Sequence, residues 1–145
     1  MLQEKNLAPN FQAPDQNGQV HELKQYRGQW VLLYFYPRDN TPGCTKEACA
    51  LRDQHPAFQQ VKAVVLGVSS DSVASHAKFA AKWQLPFTLL ADPDKKIITA
   101  YQANGLFRRI SYLINPEGII AKTYPRVKPA EHAETVKQDL INLQK

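Results

Sequence analysis

The chain has two cysteines, and both lie in one stretch, Tyr34-Phe-Tyr-Pro-Arg-Asp-Asn-Thr-Pro-Gly-Cys-Thr-Lys-Glu-Ala-Cys49. A thiolate is both a nucleophile and a metal ligand, so covalent, redox or metal chemistry would be sought here first. Residues 37–43 carry the Pro, Asp, Asn and Gly of a tight loop, and from about Thr45 the residues favour helix. Cys44 is thus expected where a loop becomes a helix. Unpaired N–H groups and the positive end of the helix dipole favour negative charge at such a place. Cys44 is therefore a candidate nucleophile. Its alternative is the small buried hydrophobe that free cysteines often are. The preceding Pro42-Gly43, which lets a ligand approach the backbone, and the second thiol favour the former.

Cys49 follows Cys44 at i+5. On an intact helix that spacing rotates the side chain by about 140° and moves it about 7.5 Å along the axis. This exceeds the roughly 7 Å Cα limit for a disulfide. A permanent bridge is not expected; a transient one would require the first helical turns to unwind between Cys44 and about Leu51. A zinc site would need two more ligands, and the nearest histidine is His55.

The elements that must hold this stretch follow from hydrophobic patterning. Residues 31–36 read as a buried strand ended by Pro37. Residues 8–14, the turn at 15–18 and residues 19–23 suggest an N-terminal hairpin. The helix after Cys44 should run to about His55, where Pro56 interferes, with a further helical piece toward Gln60. Residues 61–68 form a second buried strand, and Ser70, Asp71 or Ser72 can cap a helix from Val73 to about Trp83. Residues 85–90 read as a shorter strand, and a helix is expected from Asp92-Pro93-Asp94 to about Tyr101. Residues 110–114 and 119–124 form an antiparallel pair around the turn at 115–118. A helix over about 130–143 closes the chain, with Ala133, Val136, Leu140 and Leu143 on one face. The result is a single α/β domain with a mixed central sheet flanked by helices.

The chain has 145 residues, a formal net charge of +5 and 43% hydrophobic residues, compatible with one globular core. The sequence pI is about 9.2, yet the positive residues are dispersed. A solvated surface explains them better than nucleic-acid or membrane binding. The N-terminus is polar and reads as no secretory signal, and the longest apolar run is far short of a bilayer span. A cytoplasmic protein is expected, where paired cysteines are more often redox-active than structural.

The pattern Pro37-x3-Thr41-x2-Cys44, with Tyr-Phe-Tyr before it and Glu47 after it, resembles the active site of peroxiredoxins. The Cys44/Cys49 pair is similar to the bacterioferritin-comigratory protein, or PrxQ, subfamily. The resemblance continues through Phe87-Thr-Leu-Leu-Ala-Asp92 and Arg109-Ile-Ser-Tyr-Leu-Ile114. It implies a thioredoxin-like fold with an N-terminal β-hairpin extension, an AhpC/TSA-type domain over residues 1–145. It also implies a thioredoxin-dependent peroxidase acting on hydrogen peroxide and organic hydroperoxides. Cys44 would be the peroxidatic residue and Cys49 the resolving one. Thr41 and Arg109 would hold the peroxide together with Gly43, and Pro37 would shield the sulfur. Thioredoxin or a similar dithiol would be the reductant. No metal or organic cofactor is required, and the subfamily favours a monomer.

Residue by residue, alternatives stand beside these roles. Arg109 could be a surface charge, and Arg108 is a neighbour that could be mistaken for it. Thr41 could be a loop hydroxyl bonded to backbone. Glu47 could orient Arg109 through a bidentate pair or be an ordinary exposed helix residue. Tyr36 could line the pocket or belong to the core. The histidines at 21, 55, 76 and 132 are read as surface or packing residues. A thiol–disulfide oxidoreductase would normally show Cys-x-x-Cys, which the sequence lacks; a holdase would need an exposed apolar surface that it does not display. The segment 101–108 is shorter than the loop of many peroxiredoxins, which would alter access to Cys44.

Overall fold

A computed structural model describes residues 1–105 and 109–145. The expectations for Arg108, and for the full segment 101–108, fall in part on residues outside those described. A hairpin of β1 (Gln12–Pro14) and β2 (Val20–Glu22) opens the chain, followed by a short 3-10 turn at Leu23–Tyr26. Then come β3 (Trp30–Phe35), α1 (Pro42–Gln60), β4 (Ala63–Ser69), α2 (Val73–Trp83) and β5 (Thr88–Ala91). After these follow α3 (Lys96–Ala100), β6 (Ile110–Ile114), β7 (Ile120–Tyr124) and α4 (His132–Leu143). The strand order of the main sheet is β5-β4-β3-β6-β7. Strands β3, β4 and β5 run parallel, and β6 and β7 are antiparallel to their neighbours. This is the mixed sheet with an N-terminal hairpin that the patterning implied.

β3 is the middle strand, and five of its six residues are buried. Period-two alternation splits them between two cores. Leu32 and Tyr34 join Ala48, Leu51 and Phe58 of α1, Phe79 of α2, and Val136 and Leu140 of α4 on one face. Val31, Leu33 and Phe35 join Phe11, Leu23, Ile97 and Tyr101 on the other. A strand covered on both sides reads as a continuous apolar run, as this one does.

β5 starts at Thr88 rather than at residue 85, and three helix boundaries also depart from expectation. α1 begins at Pro42 rather than about Thr45, because Pro at the first helical position has no N–H to leave unpaired and its fixed φ suits the helix. The same helix continues through Pro56 to Gln60. Pro56 itself is exposed, while Leu51 and Phe58 on either side of it are fully buried. Packing across that point offsets the lost hydrogen bond. α3 starts only at Lys96, because residues after Asp92 first form a turn: Lys95 N–H bonds the Asp92 carbonyl and Lys95 takes φ 58°.

The pairing register gathers the ends of three strands at one edge. Phe35 lies opposite Val68 of β4 and Ile110 of β6. The loop leaving β3, the loop leaving β4 and the residue entering β6 therefore meet there. Position 67 is tightly constrained: a Cβ on Gly67 would lie 2.8 Å from Cε1, Cζ and Oη of the buried Tyr34 ring. Gly67→Ala should destabilise the fold by about 1–3 kcal/mol through overpacking. An unchanged denaturation midpoint would contradict this.

Candidate active site

α1 is introduced by Thr41 as N-cap, in extended conformation with φ −85° and ψ 153°. Its hydroxyl does not cap the helix; Oγ1 donates to the Arg38 carbonyl at 3.0 Å. The first-turn N–H groups thus keep no side-chain acceptor, leaving an anion-favouring helix end. Cys44 is the third residue of that helix. Its side chain is 2% exposed and belongs to the α1 side of the core.

Arg109 immediately precedes β6. Its Nη1 lies 2.9 Å from Cys44 Sγ, within hydrogen-bond reach although the two residues are 65 apart in sequence. Gly43 makes this approach possible. A Cβ there would stand 2.5 Å from Arg109 Nη2 and 3.1 Å from Cζ. The glycine therefore admits the arginine, where the sequence suggested closeness to a ligand.

Above the sulfur opens a cleft of about 690 Å³ lined by Pro37, Arg38, Thr41, Pro42, Gly43, Ser70, Asp71 and Arg109. Pro37, Thr41, Gly43 and Arg109 thus share one wall system. Cys44 does not line it but lies behind Gly43 and Arg109. Tyr36 is not on the wall either: it is 4% exposed and its hydroxyl donates to Asp39 Oδ1 at 2.6 Å. Cys49 is half-buried further along the same helix, and both cysteines are free.

Glu47 corrects both of its sequence-based alternatives. It is not exposed, being 1% accessible, and it makes no bidentate pair. Oε1 stands 3.8 Å from Arg109 Nη1, an ion-pair separation, and neither carboxylate oxygen has a hydrogen-bond partner. Proximity to Arg109 favours the ionised form. Burial without hydrogen bonds opposes it and prevails, pushing the carboxyl up to about 8. Burial thus weakens the carboxylate charge that would otherwise compete with the sulfur for Arg109.

His76 also departs from expectation. It is neither on the surface nor simply packed: Nδ1 lies 2.7 Å from Asp39 Oδ2, and Nε2 lies 3.0 Å from the Leu90 carbonyl oxygen. Ser75 Oγ donates to Asp39 Oδ2 at 2.8 Å, and the Asp39 N–H donates to Asp71 Oδ2 at 2.8 Å. Nothing in the sequence pairs Asp39 with His76, 37 residues later; only the adjacency of β3 and β4 does. Among the described residues, Asp39, Asp71 and His76 form the one grouping with metal-ligand atoms all within 4.8 Å. Those atoms are spent on hydrogen bonds to one another and to Ser69, Ser75 and Tyr36. Of the other histidines, His132 is buried against Ser111 Oγ at 2.9 Å, and His21 bonds Asp15 and Tyr26.

The site thus places a buried thiol at a helix mouth, beside an arginine that immediately precedes the neighbouring strand. Known proteins place the chain in a family. Residues 5–123 match the AhpC/TSA family. Peroxiredoxin Bcp of Bacillus subtilis strain 168 is 38% identical over 146 residues, covering 94% of this chain and 93% of that protein. The chloroplastic peroxiredoxin Q of Arabidopsis thaliana is 43% identical over 137 residues, covering 90% of this chain and 63% of that one. The bacterioferritin comigratory protein of Xanthomonas campestris, described for its alkyl peroxide reduction activity, superposes with a TM-score of 0.90 at 32% identity. That superposition covers 93% of this chain and 92% of the other. The chain belongs to the AhpC/TSA family, as a peroxiredoxin of the Bcp and Q type.

Two substitutions probe this geometry. Gly43→Ala should displace the Arg109 guanidinium, a flexible group, while leaving the fold intact. Peroxide oxidation of Cys44 should fall by about tenfold to a hundredfold at an almost unchanged melting temperature. A wild-type rate would show that the arginine contact is dispensable. Glu47→Gln tests the buried acid. Between the ordinary carboxylate range and about 8 the folded state holds a proton that the unfolded chain releases, so wild-type stability falls as pH rises through that window. The melting temperature of the variant, relative to wild type, should therefore climb from pH 5 to pH 8; a constant difference would contradict the assignment.

Proposed function

We propose that the chain reduces hydrogen peroxide and organic hydroperoxides at Cys44, with Cys49 resolving the product. The observation that carries this is the Arg109 Nη1–Cys44 Sγ contact of 2.9 Å beneath an open cleft. A guanidinium donor stabilises negative charge on sulfur and on the oxygen that develops charge during O–O cleavage. The cleft, at about 690 Å³, greatly exceeds the room needed for hydrogen peroxide, since a water occupies about 30 Å³. Pro37 and Pro42 supply it with apolar wall. Both features suit a hydroperoxide carrying an organic group.

In this scheme the Cys44 thiolate attacks one peroxide oxygen. The S–O bond forms as the O–O bond breaks, and the departing alkoxide or hydroxide takes a proton to leave as alcohol or water. Thr41 and Arg109 orient the peroxide, with the first-turn N–H groups of α1 beside them, and Pro37 screens the sulfur. Glu47 and Tyr36 support the site from behind. The Cys44 sulfenic acid then condenses with the Cys49 thiol, releasing water and forming an intramolecular disulfide. Both cysteines lie on one continuous helix, too far apart along it for a disulfide, so the front of α1 unwinds for this step. Thioredoxin or a similar dithiol restores both thiols by exchange. The chemistry calls for no cofactor. The protein is assigned to the cytoplasm as a monomeric single domain without nucleic-acid or membrane partners. Family resemblance and dispersed surface charge support that assignment; among the described residues no helix is long and apolar enough to cross a membrane.

Titration of the reduced protein with peroxide, followed by mass analysis, tests the scheme. Wild type should consume one equivalent and end as a Cys44–Cys49 disulfide. Cys49→Ser should consume one equivalent, stop at the sulfenic acid and fail to turn over with thioredoxin. Cys44→Ser should consume none; retained consumption there would remove Cys44 from its role.

A further inference from the structure

The loop between β3 and α1 is short, yet it carries Thr41 and sets the first turn of the helix that holds Cys44. Little of it is tethered by its own backbone. Asn40 has φ 62°, a left-handed conformation that an asparagine tolerates but does not favour, so the loop needs outside support. That support converges on Asp39, which is 6% exposed. Its Oδ1 accepts from Tyr36 Oη at 2.6 Å, and its Oδ2 accepts from Ser75 Oγ at 2.8 Å. His76 Nδ1 lies 2.7 Å from the same Oδ2, and the Asp39 N–H is held by Asp71.

His76 is the keystone of this set. It is fully buried on α2 and spans from the loop to β5. The Leu90 carbonyl can only accept, so Nε2 donates to it, and Nδ1 faces the Asp39 carboxylate. The ring thus connects the floor of the fold to the loop through two directed bonds. Burying such a network is costly unless every member is satisfied, and here each side-chain polar atom of Asp39 and His76 has a partner.

We propose that His76 is a positioning residue for peroxide reduction: acting through the Asp39 carboxylate, it holds the Arg38–Thr41 loop so that Thr41 and the mouth of α1 stay aligned over Cys44. This rests on Cys44 being the peroxide-reacting thiol. His76 does not line the cleft and takes no part in bond making.

The two bonds of His76 can be separated. In His76→Asn the side-chain amide occupies the place of Nδ1 and can still donate to Asp39, while the Leu90 bond is lost. In His76→Gln the amide reaches the place of Nε2, keeping Leu90 and losing Asp39. Two rates are measured on each reduced protein: oxidation of Cys44 by hydrogen peroxide, and its alkylation by iodoacetamide, which needs no peroxide alignment. His76→Gln should lose about tenfold to a hundredfold in oxidation, the scale of a small misplacement, with alkylation within about threefold of wild type. His76→Asn should stay within about threefold of wild type in both rates, at a melting temperature lowered about as much as that of His76→Gln. Equal oxidation losses in the two variants, or an alkylation rate that falls in parallel, would reduce His76 to packing and overturn the proposal. Should His76→Gln not fold, Ser75→Ala removes a half-exposed donor to the same Asp39 oxygen. It should slow oxidation about threefold to tenfold with alkylation unchanged, and a wild-type oxidation rate would overturn the proposal. A wild-type protein that is alkylated at Cys44 but inert to peroxide would instead sink the peroxidase reading itself.

Discussion

The site depends on one charge reaching one sulfur. Arg109 and Cys44 are brought together by strand register, since Ile110 lies opposite Phe35 and the residue just before β6 falls beside the loop that leaves β3. A slip of one residue would flip every side chain of β6 to the other face of the sheet. The strand is fully buried, so the cores on both sides resist such a slip. The same packing that stabilises the sheet thereby sets a guanidinium within 2.9 Å of a thiol. Glu47 completes the picture by what it lacks. With no hydrogen bond to its carboxyl and with burial favouring the neutral acid, it is a weak competitor for Arg109.

Around that contact, glycine and proline act through sterics rather than flexibility. Pro42 starts α1 without an orphan donor of its own, and Gly43 makes room for the guanidinium. Neither position has an unusual positive φ; the requirement is for space and for the right first turn. Thr41 turns its hydroxyl back onto the loop, to the Arg38 carbonyl, so the helix end remains open to an anionic partner.

Much of this architecture could be seen in the residues alone. The apolar run of β3 announced a buried strand, and the boundaries of α2 and β6 follow from a serine cap and a clear apolar segment. The helix mouth at Cys44 was legible from the loop residues before it. Arg109 was not legible in that way. An arginine before a strand looks like any surface charge until the strand pairing is known, and only the motif around it singled it out. Glu47 and His76 were harder still. Their burial depends on what α1 and α2 pack against, which no local pattern states. Pro56 misled for a related reason: a local rule against proline within helices gave way to packing by Leu51 and Phe58.

Pro56 has a consequence for the helix as a mechanical object. Because it offers no N–H, the carbonyl of Arg52 four residues earlier has no donor from position 56, and the hydrogen-bond ladder of α1 is interrupted there. Both cysteines lie on the amino-terminal side of that gap, while Phe58, wholly enclosed, anchors the other side. The rod is thus built in two lengths, and the forward one carries both thiols.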